Sequence, residues 1–385
     1  MLLCLLVREI RMLRRWLLNA SILLVLVSFM MFLACASSSP APVPSQSTAP
    51  SSPPKSTTPS SVTAPMQQAT PPGCILASSE KTPISLDEPV AGTHIFHVTA
   101  AGLQRSYTIH IPRDYGGKQY LPVVIMLHGG GGTALSAIKE TGWIDKAEKE
   151  GFLAVFPEAM AHDPSQRSSF ARNPQLWNDG SDRFYTGQTI PDDIAFINAL
   201  LDDLISVFHV DEDKIFVTGF SNGASMSFRA GAELSKRIAA IAPVAGACWL
   251  DPLSLAKPVS MFYMTGTNDP LNLIEGGVPK LLSGSSDPVR AKPKPPVRDS
   301  INKWVNALDC PSKPESISEI NGIRTETYGP GRSGSEVVYV TVEDLGHTWA
   351  GGPSLLPESI VGKTSNKIKA TDAIWGFFTK HQRLN

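Results

Sequence analysis

Nine consecutive residues constrain this chain more than any others: Ile215-Phe216-Val217-Thr218-Gly219-Phe220-Ser221-Asn222-Gly223. An apolar, β-prone stretch runs straight into Gly-x-Ser-x-Gly, and residues 224–234 behind it read as a helix. A strand that passes into a helix within so few residues must turn sharply. Glycines flanking the serine make that turn possible, because a Cβ at either place would collide with the opposed strand and helix. The turn lifts the serine hydroxyl clear of the sheet and sets it at a helix N-terminus. This is the one Gly-x-Ser-x-Gly in the sequence.

The elements around the turn support a layered fold. Polar and apolar residues alternate over 94–112, which predicts two antiparallel strands, and 121–127 is an almost unbroken apolar run, which predicts a buried central strand. A glycine cluster ends that run. Helical spacing follows over 134–150, then a buried strand at 152–156 and an amphipathic helix at 192–208. Strands are expected at 214–219, 238–244, 259–265 and 337–342, and a closing helix at 371–381. Strands that alternate with helices imply a mostly parallel sheet with helices on both faces.

A serine alone is a poor nucleophile; it needs a base, and the base needs a carboxylate to orient it. With the serine on such a turn, the acid follows it in the chain and the base follows the acid. Asp269, in Gly266-Thr267-Asn268-Asp269-Pro270, comes just after the strand at 259–265. His347, in Leu345-Gly346-His347-Thr348-Trp349, comes just after the strand at 337–342. Both sit at C-terminal strand ends, where open sheets of this class place their sites. His381 falls in the closing helix, His209 precedes the serine, and Asp251 comes one strand too early. An oxyanion needs backbone donors. The expected pair is the N–H of Asn222 and one from His128-Gly129-Gly130-Gly131-Gly132, with Gly130 the choice to within one residue. No Gly-Lys-Ser/Thr follows these glycines, so they form no phosphate loop, and His128 reads as a brace for its loop. Trp177, Trp249 and Trp349 are candidates for an aromatic substrate platform or for loop packing. Asp192 and Asp193 open a helix, where carboxylates suit the dipole. This chemistry calls for no cofactor, and no Cys or His cluster has zinc-ligand spacing.

Taken together, these residues resemble an extracellular esterase family of the α/β-hydrolase superfamily that contains polyhydroxybutyrate depolymerases and feruloyl or acetylxylan esterases. The resemblance covers almost all of residues 74–385. It rests on Arg105-Ser106-Tyr107, the His128–Gly132 run, Trp177-Asn178-Asp179-Gly180, Asp192-Asp193-Ile194-Ala195-Phe196 and the serine turn. It continues through Gly266 to Asn272, Glu275-Gly276-Gly277 and Gly346-His347-Thr348-Trp349. It implies an α/β-hydrolase fold, a triad of Ser221, Asp269 and His347, and an ester substrate that is polymeric or oligomeric. Thr265-Gly266 departs from the His-Gly frequent in relatives. A non-catalytic surface-binding lipoprotein and a serine peptidase are the rival readings of the same fold.

The N-terminus bears on location. Arg8, Arg11, Arg14 and Arg15 precede an apolar run from Trp16 to Ala34, as in an export signal. Phe32-Leu33-Ala34-Cys35 looks like a lipobox with Cys35 as the lipidated residue, while Ala34-Cys35-Ala36 also fits ordinary signal cleavage. Residues 1–36 are thus expected to be a signal, 37–72 a disordered Ser/Pro/Thr-rich linker, and 73–385 one catalytic domain. The domain would meet a membrane only through its N-terminal lipid, and the expected location is extracellular or in the cell envelope. A formal net charge of -1 gives no electrostatic footprint for nucleic acid. Cys74, Cys248 and Cys310 permit one bridge and one leftover thiol, with the pairing open, and nothing in the sequence fixes an oligomeric state.

Overall fold

The computed structural model describes residues 90–170, 172–182, 190–280 and 292–383. The expected signal with Cys35, the expected linker and Cys74 lie outside them. Twelve strands are described: β1 (Gly92–Ala100), β2 (Leu103–Ile111), β3 (Leu121–Leu127), β4 (Leu153–Pro157), β5 (Met160–Ala161), β6 (Gln175–Leu176), β7 (Val210–Phe220), β8 (Ala240–Val244), β9 (Ser260–Gly266), β10 (Ser316–Ile320), β11 (Ile323–Tyr328) and β12 (Val337–Val342). Ten of them form one sheet in the order β1-β2-β4-β3-β7-β8-β9-β12-β11-β10, and β5 pairs with β6 apart from it. The six central strands, β4 to β12 in that order, run parallel, with antiparallel pairs added at each margin.

Helices α1 (Ala134–Thr141), α2 (Trp143–Glu150), α3 (Asp193–Val207), α4 (Asn222–Glu233), α5 (Val297–Ala307), α6 (Glu358–Val361) and α7 (Ala370–Phe378) complete the layers. Alternation along a strand assigns them to faces. Val123, Ile125 and Leu127 of β3 share one core with Phe196 of α3, Phe228 of α4 and Trp304 of α5. Val124 and Met126 point to the other face and share a second core with Ala137 of α1, Trp143 of α2 and Phe378 of α7. A central strand covered on both sides has no polar face to keep, which is why 121–127 reads as a continuous apolar run. The structure is the α/β-hydrolase arrangement: a mostly parallel sheet between two helical layers.

The structure splits one expected helix, adds elements to the sequence reading and narrows the open cysteine pairing. The helix expected over 134–150 is two helices, broken at Gly142, whose φ of 68° ends α1 in the left-handed region. Helix α5 and the β10–β11 hairpin were not foreseen. Cys248 and Cys310 are both buried as free thiols, so these two do not pair with each other.

Candidate active site

Because β3, β7, β9 and β12 are parallel, their C-terminal ends meet at one edge of the sheet. Leu127 delivers the glycine loop there, Phe220 delivers Ser221, Gly266 leads to Asp269, and Val342 leads to His347. Four segments far apart in sequence thus arrive together by topology alone.

Ser221 has φ 56° and ψ −115°, a positive-φ conformation that L-residues avoid. Its N–H is fixed to Val244 O at 2.9 Å, and its carbonyl accepts the Ser225 N–H at 3.1 Å as α4 begins. The flanking glycines behave as the motif requires. A Cβ on Gly219 would overlap the Gly223 carbonyl, and one on Gly223 would overlap the carbonyls of Leu127 and His128. The serine itself is half-buried.

His347 Nδ1 donates to Asp269 Oδ2 at 2.7 Å, and both side chains are almost fully buried. The other carboxylate oxygen, Oδ1, accepts the N–H groups of Leu271 at 2.8 Å and Asn272 at 2.7 Å. Burial pushes this carboxyl upward, but the His347 charge and hydrogen bond, with the two backbone donors, outweigh it and hold the group below its ordinary range. The carboxylate therefore stays ionised, and His347 keeps its proton on Nδ1, leaving Nε2 as the basic nitrogen. The His347 backbone is held by its N–H to Val361 O at 2.5 Å. Its ring lies 4.8 Å, centroid to centroid, from Phe220, the residue before the serine. Among the described residues Ser221 Oγ makes no hydrogen bond to His347; in uncomplexed enzymes that bond is often long and tightens with substrate.

The glycine loop narrows the choice of oxyanion donor. The Gly131 N–H is taken by Gln175 O at 2.7 Å and the Gly132 N–H by Gly129 O at 2.9 Å. Gly130 N–H has no such partner among the described residues, and a Cβ built there would lie 3.5 Å from Asn222 Cβ, so these two residues are neighbours. Asn222 is the first residue of α4, where a backbone N–H has no acceptor within the helix. His128 is no second base: Nδ1 donates to Gly129 O at 2.8 Å, Nε2 accepts the Ala159 N–H at 3.1 Å, and burial lowers the ring to about 4. Glu158 Oε2, 3.8 Å from Nε2, accordingly faces a neutral ring.

The three tryptophans part company. Trp177 is fully buried, with its indole N–H on His128 O at 2.9 Å and its ring 5.2 Å from His128. Trp349 is 2% exposed, and its N–H donates to Thr371 Oγ1 at 3.0 Å. Both therefore brace the site from beneath and offer substrate no surface in this structure. Trp249 keeps partial exposure, with Lys292 Nζ 5.9 Å from its ring centre. The exposed aromatic next to the glycine loop is Phe170, 57% exposed and packed against Gly131, which the sequence reading did not single out. Asp192 caps α3 through the Ala195 N–H at 2.9 Å. Its neighbour Asp193 is wholly buried, pairs with Arg105 at 2.8 Å and accepts the Asn178 N–H at 2.7 Å. That partner lies 88 residues away in sequence, so no local spacing pointed to it.

Comparison with known proteins finds similar sequences and structures. The phospholipase/carboxylesterase family matches residues 115–271, which include the glycine loop, Ser221 and Asp269. The putative esterase NocK of Nocardia uniformis subsp. tsuyamanensis is 27% identical over 302 residues, 74% of this chain and 83% of that protein. A probable feruloyl esterase C of Aspergillus niger is 25% identical over 279 residues, 71% of this chain and 83% of that protein. Among solved structures, an acetyl xylan esterase from Aspergillus awamori aligns with a TM-score of 0.45 and 15% identity over 66% of this chain and 94% of that one. The chain thus has the α/β-hydrolase fold and is similar in sequence to esterases.

Proposed function

We propose that the protein is a serine carboxylesterase acting outside the cytoplasm, with Ser221, His347 and Asp269 as its triad. The observation that carries this reading is the His347–Asp269 pair at 2.7 Å, set on the same sheet edge as the serine turn. Ser221 Oγ attacks the ester carbonyl carbon while its proton passes to His347 Nε2. The carbonyl oxygen, now negative, is held by the N–H groups of Gly130 and Asn222. As the intermediate collapses, the alcohol leaves with the proton from His347, and an acyl-serine remains. Water, deprotonated by the same nitrogen, then releases the acid and restores Ser221. No cofactor takes part in this sequence.

The favoured substrates are feruloyl or acetyl esters on plant polysaccharide, in keeping with the names of the relatives and with the exposed ring of Phe170 beside the glycine loop. Hydroxybutyrate polyester or its oligomers are the second choice. Residues 1–36 would direct export, lipid on Cys35 would anchor the chain, and residues 37–72 would give the domain reach from the envelope.

A labelled fluorophosphonate should modify wild-type protein at Ser221, as peptide mapping will show. Ser221→Ala should remain folded, take no label and lose ester turnover by roughly 10³-fold or more. An unlabelled wild-type protein would point to a binding-only role, and turnover of peptide amides above esters would point to a peptidase. Rates on methyl ferulate, acetylated xylan and hydroxybutyrate oligomers, measured side by side, decide the acyl group.

A further inference from the structure

The side chain of Asn222 does something that the backbone chemistry of its N–H does not require. Its Oδ1 accepts the Trp177 N–H at 2.8 Å, and its Nδ2 donates both to Trp177 O at 3.2 Å and to Asp179 Oδ2 at 2.8 Å. Every hydrogen-bonding site of the amide that matters here is used, and an amide facing a carboxylate on one side and an N–H on the other has a single sensible orientation. Asn222, Trp177 and Asp179 are all buried.

The same short segment grips the opposite half of the oxyanion site. Trp177 Nε1 donates to His128 O at 2.9 Å, at the entrance of the glycine loop. Gln175 O accepts the Gly131 N–H at 2.7 Å, one residue beyond Gly130. Asn178 N–H is tied to Asp193, and Asp179 Oδ1 accepts the Ser181 N–H at 3.0 Å. Residues 175–179 therefore bond to one donor residue through its side chain and to His128 and Gly131, on either side of the other.

We propose that the 175–179 segment, through the Asp179–Asn222 pair, sets the spacing between the two oxyanion donors, Gly130 N–H and Asn222 N–H. Trp177, Asp179 and the Asn222 side chain are thus positioning residues. This inference rests on the esterase reading above. Its physical basis is that donors stabilise a developing oxyanion only where they are already in place, and displacement on the order of 1 Å costs about 10²-fold in rate. A brace of this kind acts on the transition state, and substrate binding in the ground state is largely indifferent to it.

The test uses the full chain and three variants. Asn222→Asp keeps the shape and the acceptor for the Trp177 N–H but sets a carboxylate against Asp179. Asp179→Ala removes the acceptor without touching the residue next to the nucleophile. Asn222→Asp combined with Asp179→Asn restores a donor and an acceptor in exchanged places. Active serines are counted with a fluorophosphonate, so that kcat is expressed per competent site. Each single variant should lose on the order of 10–100-fold in kcat per site, with KM changed by less than about threefold. Phenylboronate, whose tetrahedral adduct places an oxygen between the two donors, should bind more weakly by a similar factor. The exchanged pair restores the bond between positions 222 and 179 but leaves Trp177 O without its donor, so it should regain a clear part of both losses relative to Asn222→Asp alone. Fewer competent sites with unchanged kcat per site would reduce the segment to a folding role and overturn the proposal, as would lost kcat with unaltered boronate affinity. If wild-type protein takes no label at Ser221, the esterase reading itself fails.

Discussion

Asp269→Asn removes one charge and no volume, and the hydrogen bonds around Asp269 determine its consequence. Oδ1 is held by two backbone donors, from Leu271 and Asn272. An asparagine must keep its carbonyl oxygen at that position, because its NH₂ group there would confront two N–H groups. The NH₂ is then forced toward His347 Nδ1, which in the native protein donates at 2.7 Å. Two donors cannot share that contact, so the imidazole must move its proton to Nε2 and present Nδ1 as the acceptor. With Nε2 protonated, His347 no longer takes the proton from Ser221. The equivalent change in trypsin lowers kcat about 10⁴-fold with the geometry intact, and a loss of that order is expected here. The assay is turnover of an ester by Asp269→Asn beside wild type, with thermal unfolding as a control for folding. A variant that retains more than about a tenth of wild-type kcat would refute the tautomer argument and remove Asp269 from the triad.

Two further predictions follow from neighbouring contacts. A Cβ on Gly266 would overlap the Leu345 carbonyl, so Gly266→Ala should cost about 1–3 kcal/mol in stability and shift the loop that carries His347; denaturant midpoints and kcat should fall together. Arg105→Met strands the Asp193 carboxylate with Asn178 N–H as its strong remaining partner and should destabilise by roughly 3–5 kcal/mol, while Arg105→Met with Asp193→Leu should be milder than Arg105→Met alone. Burial already raises the Asp193 pKa, and loss of Arg105 raises it further, so the folded state then binds more protons than the unfolded one. The Arg105→Met deficit should thus be smallest below about pH 4 and grow as pH rises through the raised folded pKa; a deficit that shrinks with rising pH would contradict this account.

Much of this architecture was legible in the sequence where one residue type answers one constraint. The strands at 121–127 and 337–342 have the bounds predicted for them: the first is covered on both faces and almost wholly apolar, and the second is rich in valine, which suits a strand. The triad candidates were legible from order alone, since parallel strands deliver their C-terminal loops to one edge. The β10–β11 hairpin was missed although Asn321 and Gly322, at φ 54° and 74°, form the two-residue turn that an Asn-Gly pair favours. All of β10 is exposed, so no buried face marks it as a strand. Helix α5 carries Val297, Ile301, Trp304 and Val305 at helical spacing, and all four are buried. The fate of the tryptophans was not legible. Whether an indole lines a pocket or lies under it depends on partners such as His128 and Thr371, which only the fold brings near.

The serine turn explains why the chemistry is held so rigidly and where variation is left. A non-glycine residue at φ 56° costs on the order of 1–3 kcal/mol and persists only where its surroundings leave no alternative. Here they leave none. The Ser221 N–H is bonded to β8, the helix behind the serine packs through Gly223 against the end of β3, and Phe220 is placed between His347 and Trp349. Relaxing the strain would require several buried contacts to break at once. The residues proposed as nucleophile, base and oxyanion donors therefore sit on the sheet edge and on its bracing, where substitutions should alter rate and stability together. On the proposed function, choice of substrate would fall instead to exposed side chains around this edge, of which Phe170 lies against the glycine loop. A change at Phe170 breaks none of the contacts that hold Ser221 in place, so an altered acyl preference would come there at little expense in stability.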